Sequence, residues 1–175
     1  MKMNSLTRIS LFSAMIAISV YIIPPIQIPM IDVSFTLQSM MVILIGFLLT
    51  PLEAFLSVLI YVLIGVAGLP VFSGARGGFT VLLGPSGGFI MMFPIISLFV
   101  SLFKSKDRNK IYDILIGVFF GIFILYAIAN LYMSFVLSMN YWIALSSLLP
   151  FVPFDIFKII LAYIIYLRFP KELLK

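Results

Sequence analysis

Along most of the chain the apolar residues come in blocks rather than at regular intervals, and prolines or small clusters of charge divide the blocks. A membrane helix needs about 20 mainly apolar residues, within a range of about 17–25. On that scale the pattern predicts about six spans. The first covers residues 6–23 and stops at Pro24-Pro25, a pair that cannot continue a helix. The second covers 37–49 and ends at Thr50-Pro51; it is short, so tilt or burial against protein has to compensate. The third covers 52–66, with Glu53 in its first turn, where a carboxylate suits the positive end of the helix dipole. The fourth covers 88–103 and ends at KSKDRNK, the fifth covers 111–137, and the sixth covers 151–167 before the basic tail RFPKELLK.

Two connections stand out. PIQIPMIDVSFT, between the first two spans, is proline-broken, carries Asp32 and is expected near one membrane face. The segment 68–88, within GLPVFSGARGGFTVLLGPSGGFI, is rich in glycine and holds two prolines and Arg76. Irregular backbone at membrane depth is tolerated only where protein buries it or where it lines a cavity. This segment is therefore expected to form the wall and rim of a pocket. No internal repeat or second domain is visible, and the spans do not divide into inverted halves.

Composition fixes the solvent. The 175 residues are 63% hydrophobic and only 10% charged, with a mean hydropathy of +1.27, whereas soluble domains carry about 25% charged residues. The fold class is an all-α integral membrane protein. The net charge of +5 does not indicate nucleic acid, because the cations form no stripe with interleaved aromatics. Lys2, Arg8, Lys104, Lys106, Arg108, Lys110, Arg168, Lys171 and Lys175 sit at span ends or between spans. An even number of spans places both termini and the 104–110 connection on one side, cytoplasmic by the positive-inside rule. The 68–88 segment then lies outside. The charged start and apolar run of the N-terminus are expected to be a retained helix rather than a signal peptide.

Chemistry is sparse. Cysteine and histidine are absent, which removes disulfides, the common zinc sets and the usual near-neutral base. No Walker A, HExxH or GxSxG pattern occurs, so no catalytic, metal or cofactor site is expected. Asp155 and Lys158, in PFVPFDIFK, are three apart near the outer end of the sixth span and share a helix face. Two readings stand: a self-neutralising pair, with Lys158 reaching outward, or a polar pocket floor, since ionisable groups inside a span mark functional sites. Asn130 in the fifth span serves equally as interhelical glue or as a ligand contact. Gln38 is similar but nearer the interface. Arg76 is either an exposed loop cation or, with Gly77 and Gly78, a carboxylate site built from a cation and backbone N–H groups. Ser10, Ser13, Ala14 and Ala17 give the first helix small residues spaced by four, which suits close packing inside the chain or against a partner.

GLPVFSGARGG followed by VLLGPSGGF, and later PFVPFDIFK, resemble the BioY family. These proteins are the biotin-binding S components of energy-coupling-factor (ECF) vitamin transporters. The resemblance implies an S-component-like bundle of six membrane helices that binds biotin near its outer face, in the bacterial cell membrane. It implies a pocket built by the third-to-fourth connection and the last helices, closed by the first connection. It also implies partners: a transmembrane coupling protein and two cytoplasmic ATPases, which fits the missing Walker motif. The Ser10/Ala14 and Ser13/Ala17 pairs resemble, loosely, the AxxxA-type docking face of such proteins. Phe154 stands where the family often has Gly, and Ser86 where Thr is frequent. For biotin, the resemblance and the residues together nominate Asp155, Lys158 and Asn130 for the ureido ring, Tyr61 and Phe72 for the apolar bicycle, and Arg76 with Gly77-Gly78 for the carboxylate. The alternatives are an S component for another vitamin or a self-sufficient proton-coupled transporter with Asp155 as its carrier.

Overall fold

Helix α2 (Gln38–Leu48) explains the rest of the architecture. Ten of its eleven residues are buried, so its all-round apolar sequence faces protein on every side, as a core helix should. This is the compensation that a short second span requires: neighbouring helices surround it. The computed structural model describes residues 4–22, 26–28 and 33–170; Ile23, Pro24-Pro25 and Asp32 lie outside the described residues.

Around α2 pack α1 (Ser5–Ile22), α3 (Pro51–Val66), α5 (Gly87–Phe103) and α9 (Val152–Arg168). Gly46 lets α2 and α5 approach closely, since a Cβ there would lie 2.8 Å from the Val100 side chain. Short helix α4 (Thr80–Leu83) lies within the glycine-rich connection. The fifth span is one continuous helix, Lys110–Val136, made of α6 (Lys110–Val118), a π-helical turn over Phe119–Ile124 and α7 (Leu125–Val136). A π turn widens the helix locally and often marks a functional region. Among the described residues, three helices are individually long and apolar enough to cross a membrane, and three shorter apolar ones pack with them.

Two elements differ from the sequence-based expectation. The first connection holds a short antiparallel hairpin, β1 (Ile26–Ile28) with β2 (Val33–Phe35), in the register Ile26↔Phe35 and Ile28↔Val33. The last helix begins at Tyr141 rather than at Phe151 and runs continuously to Arg168. Pro150 does not break it. α8 (Tyr141–Leu148) passes through a 3-10 turn at Leu149–Phe151 into α9, with two prolines in first-turn positions, where a missing N–H costs no helix bond.

At one end of α1, Arg8 donates to Glu53 Oε1 from Nε at 3.1 Å and from Nη2 at 2.5 Å. The other carboxylate oxygen accepts from Thr50 N and Oγ1 at 3.3 and 2.9 Å. Glu53 thus caps its own helix and holds α1. At the other end, the Tyr21 hydroxyl donates to Pro70 O at 2.5 Å, tying α1 to the glycine-rich connection.

Candidate functional site

Five elements converge on a cavity with a few polar groups: the start of α2, the glycine-rich connection, the first turns of α5, the middle of the 110–136 helix and the 141–168 helix around the first turns of α9. Its lining includes Gln38, Ser39, Arg76, Tyr126, Asp155 and Lys158, with Phe89, Phe93 and Phe151 among the apolar walls. The space open to water centres is about 70 Å³. Few polar groups set among aromatic and aliphatic walls is the usual make-up of a small-molecule site.

Asp155 is the hub. Lys158, one turn along α9, donates to its Oδ1 at 2.9 Å, and the Tyr126 hydroxyl donates to Oδ2 in a short hydrogen bond. Lys158 also donates to Ser39 Oγ at 3.2 Å. The two charged side chains are only 13% and 7% exposed. Charges so buried are retained only when paired and hydrogen-bonded, and both conditions hold here. Yet the carboxylate faces open space, so lone pairs remain for a ligand's N–H groups.

Gln38 supports the opposite wall. Its Nε2 donates to Tyr61 Oη at 2.6 Å and to Val71 O at 2.9 Å, which fixes the connection onto α2 and α3. Replacing Gln38 by Leu leaves Val71 O and Tyr61 Oη short of a donor in a buried place. We expect a loss of about 1–3 kcal/mol in stability, read as a lowered unfolding temperature in detergent; an unchanged temperature would contradict this role.

The remaining residues separate into those that reach the cavity and those that do not. Arg76 lines it, half-buried, with Nε donating to Ser73 O at 3.1 Å, and its backbone pairs with Phe72 in both directions. Tyr61 and Phe72 are fully buried behind the wall, edge to face at 5.7 Å. Phe72 fills the space above Gly65, where a Cβ would come within 2.2 Å of its ring. The loop glycines serve the loop itself. Gly78, at φ +95°, donates its N–H to Gly65 O at 2.7 Å, and a Cβ on Gly77 would sit 2.2 Å from Leu69 O. Asn130 is buried away from the cavity lining and donates to Tyr141 O at 2.9 Å, linking α7 to α8. Phe154 is 58% exposed and points away from the core.

On α1, Ser10 and Ala14 are exposed and Ala17 is half-buried, whereas Ser13 is buried. Only the Ser10/Ala14 pair therefore presents a small outward face. Residues that sequence reasoning passed over are Tyr126, Ser39, Ser73 and the three phenylalanines. Tyr126 had a signal: it lies four residues before Asn130, on the same side of the helix.

The membrane bundle that closes this paired carboxylate and ammonium into a cavity has a solved counterpart. A crystallised S component for biotin from an ECF-type ABC transporter superposes with a TM-score of 0.87 at 29% identity, over 94% of this chain and 89% of that one. The BioY family model matches residues 1–175, so the chain belongs to the BioY family. It is 34% identical over 173 residues to the biotin transporter BioY2 of Lactococcus lactis subsp. cremoris, covering 98% of this chain and 93% of that protein. It is 33% identical to the biotin transporter BioY of Thermotoga maritima, covering 97% of each.

Proposed function

We propose that the chain is the biotin-binding specificity subunit of an ECF-type vitamin transporter. The observation that carries this reading is the Tyr126–Asp155–Lys158 cluster, closed into a cavity of a chain whose relatives are biotin transporters. The ureido ring of biotin offers two N–H donors and one carbonyl. Asp155 accepts an N–H, Lys158 donates to the carbonyl, and the bicycle rests on Phe89, Phe93 and Phe151. Arg76 receives the valerate carboxylate, with charge-assisted hydrogen bonds supplying orientation as well as affinity. Bringing the ligand into place substitutes its dipoles for waters around groups already arranged, so little of the binding free energy is spent on ordering them.

The chain has no motif for ATP chemistry, and in this reading hydrolysis belongs to two cytoplasmic ATPases that act through a transmembrane coupling protein. The exposed Ser10/Ala14 face of α1 is the docking surface for that protein. In this reading both termini lie in the cytoplasm and the cavity opens outward, which the placement of the cations supports.

Calorimetric titration of the purified chain with biotin tests the reading. Sub-micromolar binding without turnover is expected; no binding by folded protein, or equal binding of an unrelated vitamin, overturns it. Arg76→Ala is expected to weaken biotin about tenfold, one charge-assisted hydrogen bond's contribution. The loop should persist, because the Phe72–Arg76 backbone bridge does not need the side chain. Full affinity in that variant would remove Arg76 from the site.

A further inference from the structure

A second concavity lies at the opposite end of the bundle from Asp155, where α2 meets α3 and where the 104–109 connection crosses α9. Its volume is about 300 Å³. One side is apolar, from Phe47, Leu49 and Pro51; the other carries Lys104, Lys106 and Arg108. We infer that this groove holds the headgroup of an anionic phospholipid, its phosphodiester seated between Arg108 and Lys106.

The three cations are differently placed for that task. The Lys104 ammonium donates to Gly46 O, Phe47 O and Leu49 O at 3.1, 2.8 and 2.6 Å. Its three donors are used, so it caps the C-terminus of α2 and contributes field only. Arg108 is fixed. Its guanidinium lies over the Tyr166 ring at 4.5 Å and donates to Leu167 O and Phe169 O, and Tyr166 in turn stacks on Phe47. Those contacts hold the plane still and leave part of its five-donor edge for an anion. Lys106 is exposed, and no hydrogen bond to another described residue holds it, so it is free to close over a bound oxygen.

Neighbouring carboxylates do not cancel this charge. Asp113 is buried and accepts from Ser105 N at 2.6 Å and Ser105 Oγ at 3.2 Å, and Asp107 does not line the groove. Lipid is favoured by position. The groove sits level with the ends of membrane helices, and its lining residues Pro51 and Lys104 adjoin Leu52 and Phe103, which are 66% and 48% exposed. A phosphate there has its acyl chains beside apolar surface. A zwitterionic lipid is disfavoured because its own cation would be brought up to three others; such interfacial recognition of anionic headgroups by clustered Lys and Arg is general.

The test is native mass spectrometry of the chain released from bilayers of equal parts phosphatidylglycerol and phosphatidylcholine. Wild type is expected to retain phosphatidylglycerol preferentially. Lys106→Gln with Arg108→Gln should lower that retention about tenfold or more, and Lys106→Gln alone should lower it measurably with Arg108 and its helix contacts intact. Lys110→Gln, a cation outside the groove, should change nothing. Saturation by soluble glycerol phosphate at the affinity of the lipid would reassign the groove to a free phosphate. Equal retention of the two lipids, or unchanged retention in both groove variants, overturns the inference. So does a variant that keeps its lipid but loses assembly with the coupling protein, since the groove then serves an acidic protein surface. Biotin titration of the same samples reports separately on the ligand cavity.

Discussion

Asp155→Ala is expected to weaken biotin binding about tenfold or more while the protein still inserts and folds. The carboxylate accepts from Tyr126 and Lys158 and is the hub through which α9 meets the 110–136 helix. Removing it takes away the acceptor for a ligand N–H and withdraws the carboxylate that pairs with Lys158, whose side chain is 7% exposed. An unmet buried polar group costs about 1–3 kcal/mol, and about 1.4 kcal/mol is a factor of ten in affinity. Calorimetry on the purified variant gives the affinity. Two companions separate binding from folding. Tyr126→Phe keeps the carboxylate and loses one donor, so it should weaken biotin less than Asp155→Ala does. Asp155→Ala with Lys158→Met removes both charges, and should recover stability without recovering affinity. Wild-type affinity in Asp155→Ala would detach the cluster from the ligand.

How much of this was legible depends on the range of the interaction concerned. Apolar block length carries the helices, because a lipid environment demands internally satisfied backbone over the whole thickness. The three-residue spacing of Asp155 and Lys158 puts them on one face, and the side chains do meet at 2.9 Å. What failed was local punctuation under tertiary control. The sixth span was expected to begin at residue 151, but at Pro150 the chain passes through a 3-10 turn and the helix reaches back to Tyr141. The hairpin in the first connection has strands of three residues, too short for alternation to register.

Within the cavity, the glycine-rich segment does supply part of the lining, but side-chain positions differ from what composition suggests. Glycine was expected to admit a ligand; at Gly77 and Gly78 it admits the close approach of the loop's own backbone. Aromatic residues near a pocket were expected to line it, yet Tyr61 and Phe72 pack behind the wall, and Phe89, Phe93 and Phe151 from other elements take the front. Tyr126 was invisible as a partner of Asp155 because 29 residues separate them. The π turn over Phe119–Ile124, just before Tyr126, also changes which way the helix beyond it faces, and spacing at 3.6 residues per turn does not anticipate that.

Glu53→Ala should have the largest effect on stability, a loss of about 3–5 kcal/mol, because it withdraws the carboxylate from a buried guanidinium. Arg8 is 8% exposed and Glu53 5%, so water cannot replace the lost partner. Arg8→Met should cost less than Glu53→Ala, since Glu53 keeps its two bonds to Thr50 and sits at the positive end of α3. The double variant, with both charges gone, should be more stable than Glu53→Ala alone, a non-additivity expected of a pair in direct contact. Unfolding temperatures of the four proteins in one detergent decide it; a double variant no better than Glu53→Ala would mean that the ion pair is not the source of the loss. The pair also bears on function. Together with the Tyr21–Pro70 bond it fixes the rotation of α1, and that rotation keeps Ser10 and Ala14 outward while Ser13 is turned in. If that outward face is where the coupling protein docks, the double variant should bind biotin normally yet assemble poorly, because the Tyr21–Pro70 bond would then hold the rotation of α1 from its far end without the ion pair.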